Sequence, residues 1–180
     1  MRLPDGGRRP AYNVQFATAA GSGIIAGVAV ATTTDAEQLG PMVDQLRGRY
    51  GRAPAEHLVD GGYRNLPDLV RLAEPACGTA VYMPVPRPRN GSPRDPHLPR
   101  RRDKPAVAEW RMRMGTDEAK AIYRERAPTA EGVNAQACNR GLRAVTVRGR
   151  AKVKAVVLWF ILAHNLLRSA VLRAARAGAA

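Results

Sequence analysis

Alternating polar and apolar residues near the start of the chain predict a β-hairpin. Residues 12–18 (YNVQFAT) alternate in polarity, and residues 24–32 (IIAGVAVAT) are apolar and rich in β-branched side chains. Between them, Gly21-Ser22-Gly23 has the residue types of a tight turn. We therefore expect two paired strands over these two ranges.

A helical period and a strand-like run then alternate along the chain. Asp35 is predicted to cap a helix that runs to about Tyr50, with apolar residues on one face. A short strand over residues 57–59, a helix over 66–73 and a strand over 79–83 follow. The order strand, helix, strand, helix, strand predicts an α/β fold with crossover connections.

The second half of the chain has a different composition. Residues 84–105 are rich in Pro and Arg and show no hydrophobic period, which predicts an exposed loop or insertion. Helical patterns then cover residues 106–114, 116–126, 129–139 and 151–175. This organisation suggests an α/β core over residues 1–84, a loop over 85–105 and a helical part over 106–180.

The charge of the chain is strongly basic, with a formal net charge of +14. No Asp or Glu follows Glu131, while nine Lys and Arg residues do. Nucleic acid is the favoured partner for such an imbalance, and an anionic membrane surface is the second choice. The apolar run that begins at Ala155 is too short to span a bilayer and predicts a buried helix, so no membrane partner is expected.

Two cysteines, Cys77 and Cys138, are too few for a disulfide scaffold and too far apart for a metal-binding pair. We interpret them as buried thiols in a reducing cytoplasm. The N-terminal residues contain no apolar stretch typical of a secretory signal.

Two carboxylates could carry chemistry. Asp60 follows a short apolar strand and precedes Gly61-Gly62 and a helix, and functional groups gather at such strand ends. The alternative for Asp60 is a turn-capping residue. Glu131 lies near the start of a predicted helix, where Thr129 would be the N-cap and a capping role for Glu131 is the alternative. Together they suggest phosphoryl transfer assisted by two metal ions, although sequence spacing does not show that they converge.

Other mechanisms lack their motifs. The sequence has no phosphate-binding glycine loop with Lys, no Cys/His zinc cluster and no nucleophile elbow. The histidines at positions 57, 97 and 164 are scattered, and His164 on an apolar helix is interpreted as a core residue.

Several segments resemble insertion-sequence DDE transposases. Asp60-Gly61-Gly62-Tyr63 resembles the Asp-x-Gly-Tyr/Phe signature around their second catalytic Asp. Residues 123–126 (YRER) and 130–134 (AEGVN) resemble their Tyr-x-x-Arg…Glu segment around the catalytic Glu. AYNVQFAT near the start, GLRAVTVRG from Gly141 and AHNLLR from Ala163 resemble further parts of the same group, in the same order.

The resemblance implies an incomplete RNase H-like fold with a mixed sheet, followed by a helical C-terminal part. It also implies Mg2+ or Mn2+ dependence, with DNA cleavage and strand transfer at transposon ends. Asp60 and Glu131 would be the second and third metal-binding carboxylates. The residues expected to contact DNA are Tyr123, Arg126, Arg140, Arg143, Arg148, Arg150 and Lys152. A bacterial cytoplasmic, nucleoid-associated location is expected, and a homo-oligomer on DNA is left open.

The family pattern also places a first catalytic Asp on a strand before AYNVQFAT. Here that strand would precede Met1, and Asp5 is interpreted as a turn residue. We therefore expect a truncated or fragmentary transposase that is inactive alone. The alternatives are a non-catalytic DNA-binding remnant and a basic RNA-binding structural protein.

Overall fold

The computed structural model describes residues 12–32, 34–88 and 94–178. Its helices and strands follow the order predicted from the sequence. The strands are β1 Asn13–Thr18, β2 Ile25–Ala31, β3 Glu56–Leu58 and β4 Ala80–Tyr82. The helices are α1 Leu39–Tyr50, α2 Leu66–Ala73, α3 Pro105–Gly115, α4 Asp117–Arg124, α5 Arg126–Asn139 and α6 Arg150–Ala177. Asp5 lies outside the described residues.

The strands form two separate sheets. β1 and β2 pair in antiparallel fashion, with Phe16 opposite Val28. β3 and β4 pair in parallel, with Leu58 opposite Tyr82, and α2 lies in the crossover between them. The predicted α/β character is confirmed, but the single mixed sheet is not formed within the described residues. Hydrophobic patterns predict where strands lie, whereas the choice of pairing partner depends on tertiary packing, so an RNase H-like arrangement stays a prediction.

The chain divides into two compact units. One unit, here called the central unit, comprises residues 35–130. The other, here called the terminal unit, comprises the described residues within the ranges 1–34 and 131–180. This division differs from the boundaries suggested by the sequence near residues 84 and 105, and the functional assignment of those ranges stays a prediction.

The central unit has a continuous hydrophobic core. Trp110 of α3 is fully buried, and its indole Nε1 donates a hydrogen bond to the carbonyl oxygen of Met83 at 3.0 Å. Leu39 of α1 and Leu72 of α2 are also fully buried in this cluster. Each such side chain stabilises the fold by roughly 1.5–3 kcal/mol through removal of apolar surface from water. The α1 helix ends at Gly51, whose φ of 71° is the left-handed conformation that glycine adopts easily.

The start of α1 corrects one sequence prediction. Asp35 does not cap this helix, because a short 3-10 turn, Asp35–Glu37, comes first and α1 begins at Leu39. The residue at the cap position is Gln38, which makes no side-chain cap hydrogen bond.

The Pro- and Arg-rich segment is anchored to α3 in its described part. The guanidinium of Arg111 donates from Nε to Asp103 Oδ2 at 2.7 Å, and both side chains are almost fully buried. Arg111 Nη1 also donates to the carbonyl oxygen of Pro96 at 3.2 Å. Up to residue 104 the segment contains no regular helix or strand among the residues described, as predicted, but it packs onto α3. Residues 89–93 lie outside the description.

The terminal unit has a much smaller core. Val28 and Val30 of β2 pack against Val153 and Val157 of α6. Residues 142, 145 and 147, which join α5 to α6, add partly buried apolar side chains to this cluster. The hydroxyl oxygen of Tyr12 accepts a hydrogen bond from the backbone N–H of Gly149 at 2.8 Å, one residue before α6 begins.

Polar contacts also join α6 to the β1–β2 hairpin. The side-chain amide of Asn165 accepts from the N–H and donates to the C=O of Ile25, both at 2.9 Å. Arg168 Nε donates to the carbonyl oxygen of Ser22, and His164 Nε2 lies 2.9 Å from the carbonyl oxygen of Gly23. The AHNLLR segment thus supplies the side chains that hold the hairpin. The prediction that His164 is a core residue is confirmed.

Most of α6 is exposed, which corrects the prediction of a buried helix. Trp159 is 72% exposed and Leu166 is 63% exposed, whereas only Val153, Val157 and His164 are buried. The helix has 28 residues, longer than its uninterrupted apolar run. By length and composition, α6 is the one helix in the described part of the chain that could cross a membrane. The apolar run indicated a helix, but it did not indicate what would cover it.

Candidate metal-binding site and basic surface

Asp60 follows β3 and is held in one orientation by the turn that comes after it. Its Oδ1 accepts a hydrogen bond from the backbone N–H of Gly62 at 2.8 Å. This contact makes Asp60 the N-cap of the 3-10 turn Gly61–Tyr63. The turn-capping alternative considered from the sequence is therefore correct for Oδ1, and it leaves Oδ2 for other contacts.

The second oxygen of Asp60 contacts a residue that is distant in sequence. Arg126 Nη2 donates to Asp60 Oδ2 at 3.0 Å. Arg126 is the first residue of α5, directly after the break at Glu125 that separates α4 from α5. The Asp60 side chain is 43% exposed and that of Arg126 is 30% exposed. A pair this exposed contributes about 0–1 kcal/mol to stability, so its value for folding is small.

Two tyrosines lie close to this ion pair. Burial raises the pKa of Tyr63, and the negative charges of Asp35 and Asp60 raise it further, while Arg126 acts in the opposite direction. Burial also raises the pKa of Tyr123, which responds to Arg126 and Asp60 as well. Both phenols therefore stay protonated at neutral pH and can donate hydrogen bonds to an anionic ligand.

Asp35 is the carboxylate that sequence reasoning missed. A methyl group added at Gly62 would lie 2.9 Å from Asp60 Oδ1 and 3.3 Å from Asp35 Oδ2. Both carboxylates thus border the same small space, and a side chain at position 62 would fill it. Asp35 follows β2 in the chain much as Asp60 follows β3, so the argument from strand ends could have indicated it. We call Asp35, Asp60, Tyr63, Tyr123 and Arg126 the Asp60 cluster.

The Asp60 cluster has the donor atoms that a hard cation requires. Mg2+ prefers oxygen ligands, keeps several waters and is often held by only one or two carboxylates. Asp60 and Asp35 meet that requirement in chemical type. Among the residues described, however, no group of three or more Asp, Glu, His or Cys side chains could hold a metal ion. The cluster therefore fits a weak, partly hydrated site.

Glu131 belongs to the terminal unit. It is an exposed residue in the second turn of α5, because this helix begins at Arg126 and not near Thr129. The backbone N–H of Thr129 donates to the C=O of Glu125, so Thr129 is inside the helix and is not its cap. Asp60 belongs to the central unit and Glu131 to the terminal unit, and their convergence on one metal stays a prediction.

The predicted DNA-contacting residues after Glu131 are all exposed. Between α5 and α6, Leu142, Val145 and Val147 face the core of the terminal unit, which leaves Arg143 and Arg148 exposed. The remaining exposed cations of this stretch are Arg140, Arg150 and Lys152. We call these five cations the basic connector. The apolar residues between these cations fix the backbone, while the cations themselves face solvent. A phosphate-binding surface requires this arrangement.

A comparison with protein families finds a match for part of the chain. Residues 89–170 match the model of a transposase DDE domain. Residues 89–170 are therefore similar to transposase DDE domains. The resemblance noted from the Tyr-x-x-Arg…Glu and AHNLLR segments is thereby confirmed. Searches of curated proteins and of solved structures gave no match.

The matched DDE segment includes some predicted site residues and leaves out others. It contains Tyr123, Arg126, Glu131 and the whole basic connector. It does not contain Asp60, which precedes the match by 29 positions. The ion pair with Arg126 is therefore the structural observation that connects Asp60 to the DDE segment.

One further prediction is corrected outside the site. Cys77 is partly buried, as expected for a structural thiol, but Cys138 on α5 is exposed. The sequence placed it in a helix correctly, but α5 has only Val133 and Ala137 buried.

Proposed function

We propose that this chain acts in DNA transposition as part of a DDE-type transposase that cleaves and joins DNA at transposon ends. The observation that carries the proposal is the contact between Asp60 and Arg126, since it joins the Asp-Gly-Gly-Tyr segment to the DDE-family segment. The basic connector supports the proposal by offering an exposed surface for DNA phosphates.

In this proposal Asp60 and Glu131 hold Mg2+ or Mn2+. The metal, when bound, would activate the attacking oxygen and stabilise the leaving oxygen of the phosphodiester. Tyr123 and Arg126 orient the donor strand, because a neutral phenol and a guanidinium can both donate to a phosphate oxygen. The basic connector keeps the duplex in place without reading its sequence. A third carboxylate is not assigned, and we expect strand transfer by this chain alone to be nearly abolished.

The test is covalent joining of a labelled duplex to a supercoiled plasmid in Mg2+ or Mn2+. The DNA that borders the coding sequence serves as donor, and Asp60→Asn and Glu131→Gln are the inactivating variants. Glu125→Gln, a nearby exposed residue, is the matched control. Joining that disappears in both inactivating variants and persists in the control supports the proposal. Joining that survives Asp60→Asn would refute the catalytic role of Asp60.

A second candidate is DNA binding without catalysis, in which the chain competes with or assembles into an active transposase. It is favoured by the placement of all five connector cations in one short exposed stretch. Fluorescence anisotropy with a labelled duplex separates the two candidates. Under this second candidate, salt-sensitive binding would remain in Asp60→Asn and Glu131→Gln, and no joining would occur in any variant.

A basic RNA-binding protein is the remaining alternative. It would be indicated if a structured RNA displaced the labelled duplex at a concentration well below that of unlabelled duplex DNA. We place the protein at the nucleoid in the bacterial cytoplasm, with DNA as its partner. A homo-oligomer on DNA would be detected by light scattering of the complex.

A further inference from the structure

Arg126 occupies the Asp60 oxygen that a metal ion would use. Asp60 Oδ1 accepts from the backbone of Gly62, whereas Oδ2 accepts from the Arg126 guanidinium at 3.0 Å. The first contact is local to the turn and fixes the carboxylate. The second comes from the long side chain of Arg126 on α5, so this guanidinium can leave Oδ2 while Asp60 stays in place.

The exposure of both partners supports such an exchange. The Asp60 side chain is 43% exposed and the Arg126 side chain is 30% exposed, so water and ions reach the pair directly. Exposed ion pairs are weak because solvent screens them and two side chains must be held in one geometry. A divalent cation can therefore compete with this arginine.

The local charges indicate the direction of the effect. Asp35 and Asp60 border the same space beside Gly62, and Arg126 supplies one positive charge next to them. With the guanidinium in place, a cation at Asp60 meets a like charge at short range. With the guanidinium removed, that like charge is gone and the carboxylate of Asp60 attracts a divalent cation more strongly.

A phosphate of bound DNA is a suitable alternative partner for the guanidinium. Arginine binds phosphate through two parallel N–H donors, and it stays charged at all relevant pH values. Arg126 lies at the first turn of α5, three residues after Tyr123, whose protonated phenol is a second phosphate donor. A DNA strand at this junction would draw Arg126 away from Asp60.

We propose that Arg126 is an exchangeable counter-ion of Asp60, which DNA removes and a divalent cation replaces, so that DNA and metal bind cooperatively. By thermodynamic linkage, the factor by which DNA strengthens metal binding equals the factor by which metal strengthens DNA binding. The inference rests on the proposed function and deepens it, because it makes the metal site depend on bound DNA.

Direct metal binding tests the inference without any measurement of activity. Mn2+ is titrated into the whole chain, and free Mn2+ is followed by electron paramagnetic resonance. The difference between the natural chain and Asp60→Asn gives the Mn2+ bound by Asp60. Asp60→Asn mixed with DNA gives the Mn2+ bound by the duplex itself, which is then subtracted. Arg126→Gln removes the counter-ion, and Arg124→Gln is the matched control because Arg124 is an exposed arginine on the neighbouring turn.

In the absence of DNA, Arg126→Gln should bind Mn2+ about two- to fivefold more tightly than the natural chain, which is the range expected for an exposed ion pair. A 20-base-pair duplex should tighten Mn2+ binding of the natural chain and of Arg124→Gln by a similar factor. The duplex should produce no such gain in Arg126→Gln. Circular dichroism of each variant checks that the fold is retained.

Two negative outcomes are distinguishable. If Arg126→Gln binds Mn2+ no more tightly than Arg124→Gln while Asp60→Asn loses binding, the metal site stands and the counter-ion role is wrong. If Asp60→Asn leaves Mn2+ binding unchanged, the metal site of the proposed function fails as well, and the inference falls with it.

Discussion

The two units of this protein are stabilised in different ways. The central unit encloses Trp110, Leu39 and Leu72 in one continuous hydrophobic core. The main core cluster of the terminal unit contains four buried valines, and the long helix is joined to the hairpin through polar side chains such as Asn165. A continuous apolar core makes a unit stable by itself, whereas a small core with polar contacts leaves apolar surface exposed. The units should therefore respond differently to the same substitution.

The largest difference should come from truncating the tryptophan of each unit. The chain has two tryptophans, the fully buried Trp110 and the exposed Trp159. Trp110→Ala should lower the free energy of unfolding of the central unit by about 4 kcal/mol, because it creates a cavity and leaves the Met83 carbonyl without its donor. Trp159→Ala should change stability by less than about 0.5 kcal/mol.

Urea denaturation followed by fluorescence measures both effects. In Trp159→Ala the remaining Trp110 reports the central unit, and in Trp110→Ala the remaining Trp159 reports the terminal unit. A loss of similar size in both variants would contradict the comparison, since it would mean that Trp159 is covered in solution.

The polar attachment of α6 should have the next largest effect. Asn165→Ala removes both side-chain hydrogen bonds to the backbone of Ile25, a residue that is almost fully buried. We expect the terminal unit to lose about 2–3 kcal/mol. Asn139→Ala, at the exposed end of α5, is the control. Hydrogen exchange at the amides of β2 would measure the loss, and equal protection in both variants would contradict a structural role for Asn165.

The same comparison shows how far the sequence could predict this molecule. Hydrophobic periodicity predicted every helix and strand to within a few residues, because local burial patterns carry that information. It predicted the β1–β2 hairpin, but it predicted neither the division of the strands into two sheets nor the exposure of Trp159, because both depend on what packs against an element.

For the candidate site, motifs indicated Asp60 and Arg126 separately. Their 3.0 Å contact required the structure, since 66 positions separate them in the sequence. Asp35 was missed because its place before a helical pattern suggested a cap. The 3-10 turn that precedes α1 removed that role and left its carboxylate beside Gly62.

Acid should destabilise the central unit through His57. Burial lowers the pKa of His57 on β3 to about 4, while the unfolded chain keeps a value near 6.5. Between these two pKa values the unfolded state binds more protons than the folded state. The contribution of His57 to the free energy of unfolding is therefore fully present above pH 6.5 and is lost as the pH falls towards 4. The free energy of unfolding should fall by about 2 kcal/mol. This is somewhat less than the energy equivalent of the full pKa shift, because the ring is only partly buried.

Urea midpoints of the central unit from pH 7 to pH 4, read through Trp110, would measure this loss. His57→Gln removes the titrating group and should flatten the profile. A profile that stays steep in His57→Gln would assign the acid sensitivity to other groups.

The smallest expected change in free energy is a loss of DNA affinity. It should show that residues of the terminal unit can affect DNA binding without affecting stability. Arg143 and Arg148 are exposed, while their neighbours Leu142 and Val147 contact the core. Arg143→Gln with Arg148→Gln should leave the urea midpoint unchanged, because no apolar contact is lost. The same double variant should weaken duplex binding by about 1 kcal/mol and reduce the salt slope by about 2, one for each phosphate contact removed.

Anisotropy titrations at several salt concentrations would give both quantities. The control is Arg49→Gln with Arg52→Gln, a pair of exposed arginines at the end of α1 with the same change in net charge. If both double variants lose the same affinity, overall charge explains DNA binding and the basic connector has no special place. If only the connector variant loses affinity, DNA lies on the terminal unit, the part of the molecule that relies least on its own core.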